Sequence, residues 1–349
     1  MPDRPNSSRT TPSTSKTADR RSFLRQVAAG GAAAVFLGAC RSSSNAQVPA
    51  QNAAAPAPEA GKTPIAIVKH SGMLADPRTP NAEAVLASLD EGIKYAFSET
   101  DAARAWARLC TPEDVVALKI NCISGLMYSH PVVVGAIVQR LQDIGVPAQN
   151  IVVWDRTSGE MARCGYDISR EGAGVRYYGT DGAYDEWVQH RSVATRLSKV
   201  LTQTAQVLIN VPVLKDHGGA GVTLAMKNHY GSVANPGDLH GDWCNQAAEL
   251  SDVPRIRSMT RLIVADCTRA LFDGGPGGRP ETIWPAQALL VSTNPVAADA
   301  IGLEMLDAKR AEEGLDPLRP RAKHVATAAQ IGLGPNNRAD MSVLEITAG

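Results

Sequence analysis

The sequence predicts an α/β fold, a mostly parallel layered sheet with helices on both faces. Three observations predict it. Short, β-branched apolar runs recur, several of them continuous rather than alternating, as in strands covered on both faces. Segments with helical apolar spacing lie between them, and strand–helix alternation implies parallel pairing. The composition is 44% hydrophobic but only 5% aromatic, which suits an Ala- and Val-rich α/β protein.

Residues 1–39 read as a twin-arginine export signal. A Ser/Thr-rich basic lead precedes RRSFLR (20–25), and a small apolar stretch follows over 27–39. That stretch is shorter than the roughly 20 residues a membrane span needs. LGAC (37–40) matches a lipobox, which makes Cys40 the lipid-bearing residue and the membrane anchor. The alternative is cleavage farther on, after Ala46, with Cys40 an ordinary residue. Residues 40–63, rich in Ser, Ala, Gln and Pro, form a flexible linker. The expected location is the periplasm or cell surface, and the export machinery is an expected partner.

Residues 64–349 then form one α/β domain. Its strands are IAIVKH (65–70), DVVALKIN (114–121), NIVVWD (150–155), VRYYG (175–179), QVLINVPV (206–213), RLIVAD (261–266), ALLVST (288–293) and SVLEI (342–346). Helices are expected over 81–97, 130–145 and 294–314. The last two open on Pro131 and Pro295 and close on Gly145 and Gly314, the usual asymmetry of helix ends. The Gly- and charge-rich stretch 157–200 reads as an insertion or irregular excursion.

Charge excludes one class of partner. Removing the six bases (Arg4, Arg9, Lys16, Arg20, Arg21, Arg25) and two acids (Asp3, Asp19) of residues 1–39 from 35 and 35 leaves 29 and 33, a net of −4. No basic surplus remains for nucleic acid. The five cysteines beyond Cys40 form no C-x-x-C and match no zinc or iron–sulfur spacing. No iron–sulfur cluster is therefore expected.

In parallel sheets ligands collect beyond the carboxyl ends of the strands. There the sequence places Lys119 and Asn121, Asp155 and Arg156, Lys215 with Asp216 and His217, Asp266, and Asn294. Gly218, Gly219 and Gly221 precede VTLAMKNHY, which reads as a helix start whose free amides attract an anion. Neither nucleotide-binding glycine signature fits. Lys227 and Asn228 fall within that helix. A divalent metal could instead use His217, His240 and Asp266, although their spacing is not that of a tight helical motif. FDGGPGGRPE (272–281) is a second Gly-rich loop, a turn or a cover for a ligand.

The order VVALKIN, SHPVVVGAIVQRL, VLINVPVLKDHGGAGVTLAMKNHYG, IVADCTRALFDGGPGG and TNPVAADAIG resembles the family called domain of unknown function 362. The resemblance covers roughly 64–335. Its Lys-x-Asn falls on Lys119 and Asn121, its Lys-x-His on Lys215 and His217, and its Lys-Asn on Lys227 and Asn228, with His229 intervening before Tyr230. The strand-ending Asp falls on Asp266. The motif D-P-V-A-x-D falls on Asn294 to Asp299, with Asn in place of the first acid. Many relatives carry a ferredoxin-like domain, for which this chain has no cysteine run.

Together these features describe an exported protein whose cationic cleft takes a small anionic molecule. Lys215, His217 and Asp266 are the candidate catalytic groups, with His217 as acid/base and Asp266 orienting it or holding a metal. Lys119, Asn121, Gly218, Gly219, Gly221, Lys227 and Asn228 are the candidate ligand-binding residues. The alternatives are a non-enzymatic solute-binding or assembly lipoprotein and a divalent-metal or redox enzyme.

Overall fold

A computed structural model describes residues 56–348. The signal segment and Cys40 lie outside the described residues, as does most of the 40–63 linker. Thirteen strands are described: β1 (Thr63–His70), β2 (Val116–Lys119), β3 (Ile151–Asp155), β4 (Arg176–Gly179), β5 (Tyr184–His190), β6 (Val193–Ser198), β7 (Val207–Asn210), β8 (Val213–His217), β9 (Gly221–Thr223), β10 (Thr260–Leu271), β11 (Ile283–Trp284), β12 (Ala288–Ser292) and β13 (Met341–Ala348). Each of the eight apolar runs forms a strand.

The main sheet runs β13-β1-β12-β10-β7-β2-β3-β4. Along this path only β12 runs against its neighbours, β1 and β10. The other neighbouring pairs are parallel. Successive strand residues alternate between two buried clusters. Ala117, Val152, Leu208 and Ile263 face one side, and Val116, Leu118, Val153 and Ile209 the other. Helices Ala82–Phe97 and Pro131–Asp143 cover the second face, and Pro295–Glu312 and Lys323–Gln330 the first. Burying each Val, Leu or Ile side chain stabilises by about 1.5–3 kcal/mol before chain entropy is counted.

Three local departures from the expected elements shape the site. The run 206–213 breaks after Asn210, where Pro212 has no N–H to continue a ladder, and restarts as β8. β10 does not stop at Asp266 but runs on to Leu271, because its second half pairs with β8 and β11. The 157–200 stretch divides. β4 joins the sheet edge beside β3, and only the β5–β6 hairpin forms a separate small sheet. Among the described residues no helix is long and apolar enough to cross a membrane.

Candidate functional site

β2, β3, β7 and β8 end at the same sheet edge, and their last residues meet there. Lys119, fully buried, donates to Asp155 Oδ1 at 2.7 Å and to the Ile120 carbonyl at 2.7 Å. Asp155 Oδ2 in turn accepts from the Cys122 amide at 2.6 Å. Gly231 makes room for this pair, since a Cβ there would sit 2.6 Å from Asp155 Oδ1 and 2.7 Å from Lys119 Nζ.

An amide network links this pair to the next lysine. Asn228 Nδ2 donates to Asn210 Oδ1 (2.7 Å) and to the Lys119 carbonyl (3.1 Å). Asn228 Oδ1 accepts from Asn121 Nδ2 at 3.1 Å. Asn121 Oδ1 accepts from Lys215 Nζ at 2.6 Å, and Lys215 also donates to the Met127 carbonyl at 3.3 Å. Lys215 is fully buried and makes no ion pair among the described residues, and burial pushes its ammonium down to about 8.

The third lysine, Lys227, lies on the one-turn helix Ala225–Asn228. Its Nζ sits 4.1 Å from the centre of the Tyr230 ring and 3.3 Å from His240 Nε2. Among the described residues it too forms no ion pair, and burial pushes it down to about 8 against the opposing hydrogen bond with the Cys244 thiol. His217 Nδ1 accepts from the amides of Gly219 (3.0 Å) and Ala220 (3.1 Å). Burial, with Lys227 and His240 nearby, pushes this ring down to about 3. It is therefore neutral at pH 7 and carries its proton on Nε2. His240 has the opposite tautomer. Its Nδ1 lies 2.8 Å from the Pro236 carbonyl, a pure acceptor, so Nδ1 holds the proton and Nε2 the lone pair.

Lys119, Asn121, Asp155, His217, Thr223, Lys227, Asn228, Tyr230 and His240 line one cavity of about 150 Å³. Ile123, Pro236 and Pro276 supply apolar wall, and Arg156, ion-paired with Glu160, lines the same cavity. Thr223 Oγ1 is buried and has no hydrogen-bond partner among the described residues. The walls thus offer a cation, a fixed N–H donor, a fixed lone pair and a free hydroxyl.

The sequence-predicted residues separate on this map. Lys119, Asn121, His217, Lys227, Asn228 and His240 come together, and Lys215 backs them through Asn121. The three glycines were expected to cradle an anion ahead of a helix start. They turn β8 into β9, with Gly221 at φ +71° where other residues are strained. The expected helix start is instead a strand, Gly221–Thr223. The short helix after it has its Ala225 and Met226 amides taken by the Asp299 carboxylate at 2.6 and 3.2 Å. Asp266 is not in the cleft either. It lies within β10, accepting from Thr268 Oγ1 (2.6 Å) and the His130 amide (2.9 Å), and burial raises its carboxyl.

Asp266 therefore neither orients His217 nor completes a metal set with it. Cys244 takes that third place. His217, His240 and Cys244 bring donor atoms within 4.8 Å of one another, an arrangement that could hold a metal ion. Two features oppose that use. The neutral His217 ring keeps a proton on Nε2, and Lys227 already occupies the approach to His240 Nε2.

Sequence reading left Thr223, Tyr230 and Cys244 out of the site, and placed Asp155 at its edge without giving it a role. Asp155 carried a signal, as a charged residue ending a strand. Tyr230 and Gly231 carried one as the aromatic–glycine pair after Lys-Asn. Thr223 and Cys244 had none. Asn294 caps the helix Pro295–Glu312 by accepting from Val296 and Ala297, both at 3.0 Å, a task that an amide oxygen performs without charge.

Residues 116–304 match the family model described as Domain of unknown function (DUF362). A crystal structure of a Thermotoga maritima protein from a structural-genomics consortium aligns with 10% identity and a TM-score of 0.35, over 73% of this chain and 60% of that one. The chain thus spans less than two thirds of that structure's length. No curated protein matches the chain.

Proposed function

The chain belongs to the DUF362 family, and for this member we propose that the cleft binds a small carboxylate or similar oxyanion and carries out acid–base chemistry on it. One observation carries this reading. Lys215 and Lys227 are buried ammonium groups without a carboxylate partner among the described residues, and both are destabilised by desolvation. An anion in the cleft would relieve that cost. His217 Nε2–H would donate to the ligand, and His240 Nε2, which faces the Lys227 ammonium, would exchange a proton with the ligand through that amine. These roles divide between two histidines the acid/base work first expected of His217.

The test is calorimetric titration at pH 7 with pyruvate, oxalate and phosphate, on the parent and on Lys227→Met. A charge-assisted hydrogen bond is worth about 1.5–3 kcal/mol, so the variant should bind roughly 10- to 150-fold more weakly. Equal binding by both proteins, or none by the parent, overturns the reading. Bound ligand that stays unchanged over long incubation favours a solute-binding protein over an enzyme. Export and anchorage through Cys40 rest on sequence alone. Membrane fractionation of Cys40→Ala tests them, and a variant still held in the membrane fraction refutes the lipid anchor.

A further inference from the structure

We propose that Lys227 is an amine nucleophile that captures a small 2-oxo carboxylate as a Schiff base. The proposal rests on the anion-binding reading of the same cleft and names its substrate class. Three lysines converge here, and their surroundings assign them different tasks. Lys119 is held by Asp155 and two further oxygens, Ile120 O and Asn228 Oδ1. Lys215 donates to Asn121 and Met127 and does not line the cavity. Among the described residues, Lys227 alone of the three lines the cavity with no carbonyl or carboxylate holding its amine, whose neighbours are the Tyr230 ring, His240 Nε2 and the Cys244 thiol.

Its neighbours suit imine formation. His240 Nε2, a fixed acceptor 3.3 Å away, is placed to take a proton from the Lys227 ammonium. The freed lone pair attacks the ligand's carbonyl carbon, and the C=O π pair moves to oxygen. His217 Nε2–H can donate to that oxygen. The second nitrogen proton passes to the alkoxide, giving the neutral carbinolamine; its hydroxyl then takes back the proton held by His240 and leaves as water, while the nitrogen lone pair forms the C=N bond of a protonated imine. No oxidant or reductant is consumed. The same logic activates lysines in other apolar pockets, where a desolvated amine spends more time unprotonated. Burial supports it here, since it lowers the Lys227 ammonium to about 8.

The carboxylate requirement follows from what remains charged. When Lys227 becomes an imine, Lys215 still stands behind Asn121 without a counter-ion, and the Thr223 hydroxyl is still unpartnered. A carboxylate beside the ketone accepts from the Thr223 hydroxyl, and Lys215, one amide behind the wall, favours its charge through Asn121. A cavity of about 150 Å³ limits the body attached to that pair to a few carbons.

The experiment is reductive trapping. The parent is incubated at pH 8 with pyruvate or glyoxylate and cyanoborohydride, then digested, and the modified lysines are located by mass spectrometry. Lys227 should be modified at least roughly tenfold faster than exposed lysines, whose amines are almost wholly protonated at that pH. His240→Gln should slow this by roughly tenfold or more. Lactate, which has the carboxylate but no carbonyl, should protect Lys227. Adducts spread over surface lysines, with Lys227 unmodified while lactate still binds, overturn the Schiff base and leave the anion reading intact. Failure of lactate and pyruvate to bind, with no Lys227 adduct, overturns both.

Discussion

Lys119 and Lys227 line the same cleft, and both are almost wholly buried, yet they are held in opposite ways. At the Lys119 end, a carboxylate, a backbone carbonyl and an amide oxygen surround the ammonium, and a glycine clears the space. At the Lys227 end there are an aromatic face, a histidine lone pair and the Cys244 thiol, none of them a carboxylate. A buried charge is tolerated when it is paired and hydrogen-bonded, and it is costly otherwise. The first end is thus built for the fold. The second carries an unbalanced charge that a ligand can balance. Burial alone would not have distinguished them; their partners do.

The sharpest way to break this contrast is to remove one partner from each end. Asp155→Ala leaves Lys119 buried and unpaired, and should cost about 3–5 kcal/mol in urea unfolding at pH 7. Lys227→Met should lie within about 1 kcal/mol of the parent or be more stable. Comparable losses at both ends would erase the distinction. Gly231→Ala should cost about 1–3 kcal/mol, because its Cβ would press on both Lys119 and Asp155.

The pH dependence sharpens the Lys227 end. Its ammonium titrates near 8 when folded, against 10.5 for an unperturbed lysine. Below pH 8 both states hold the proton, and the penalty is constant. Between about 8 and 10.5 the unfolded chain keeps a proton that the folded chain has lost, so this group makes the parent more stable as pH rises. Any advantage of Lys227→Met should therefore shrink over that window, by at most about 1.4 kcal/mol per pH unit. A difference flat in pH would mean that Lys227 is not desolvated.

Smaller effects follow at the cavity wall. Thr223→Val should leave stability unchanged, because Oγ1 has no partner to lose. It should weaken carboxylate binding by about 2- to 10-fold. The smallest effect expected is that of a chelator, which should leave the melting temperature unchanged. Stoichiometric zinc in protein purified without chelator would instead favour the His217, His240 and Cys244 donors as a metal site.

Much of this architecture was legible in the chain because sheet strands announce themselves by composition. The runs around Val116, Ile151, Val207 and Leu289 are apolar on both faces, and only a covered sheet accommodates that. Lys-x-Asn and Lys-x-His were legible for the same reason, as charges where strands run out. What could not be read was pairing across the chain. Asp155 lies 36 residues from Lys119, and no local pattern joins them. Asp299 reaches back 74 residues to the Ala225 amide, occupying the helix start that seemed free for an anion. Asp266 looked like a strand end because the apolar run stops there. Pairing with β8 and β11 carries the strand onward and takes the carboxylate out of the cleft.

The central claim is that Lys227 is an unbalanced, ligand-responsive cation. Carbon NMR of the lysine side chains measures this directly, with the Lys227 resonance assigned by its loss in Lys227→Arg. In the free protein it should titrate near pH 8, and saturating oxalate should raise that midpoint, because a bound anion favours the ammonium. A midpoint above 10 in the free protein, or one that carboxylates do not move, would contradict the account.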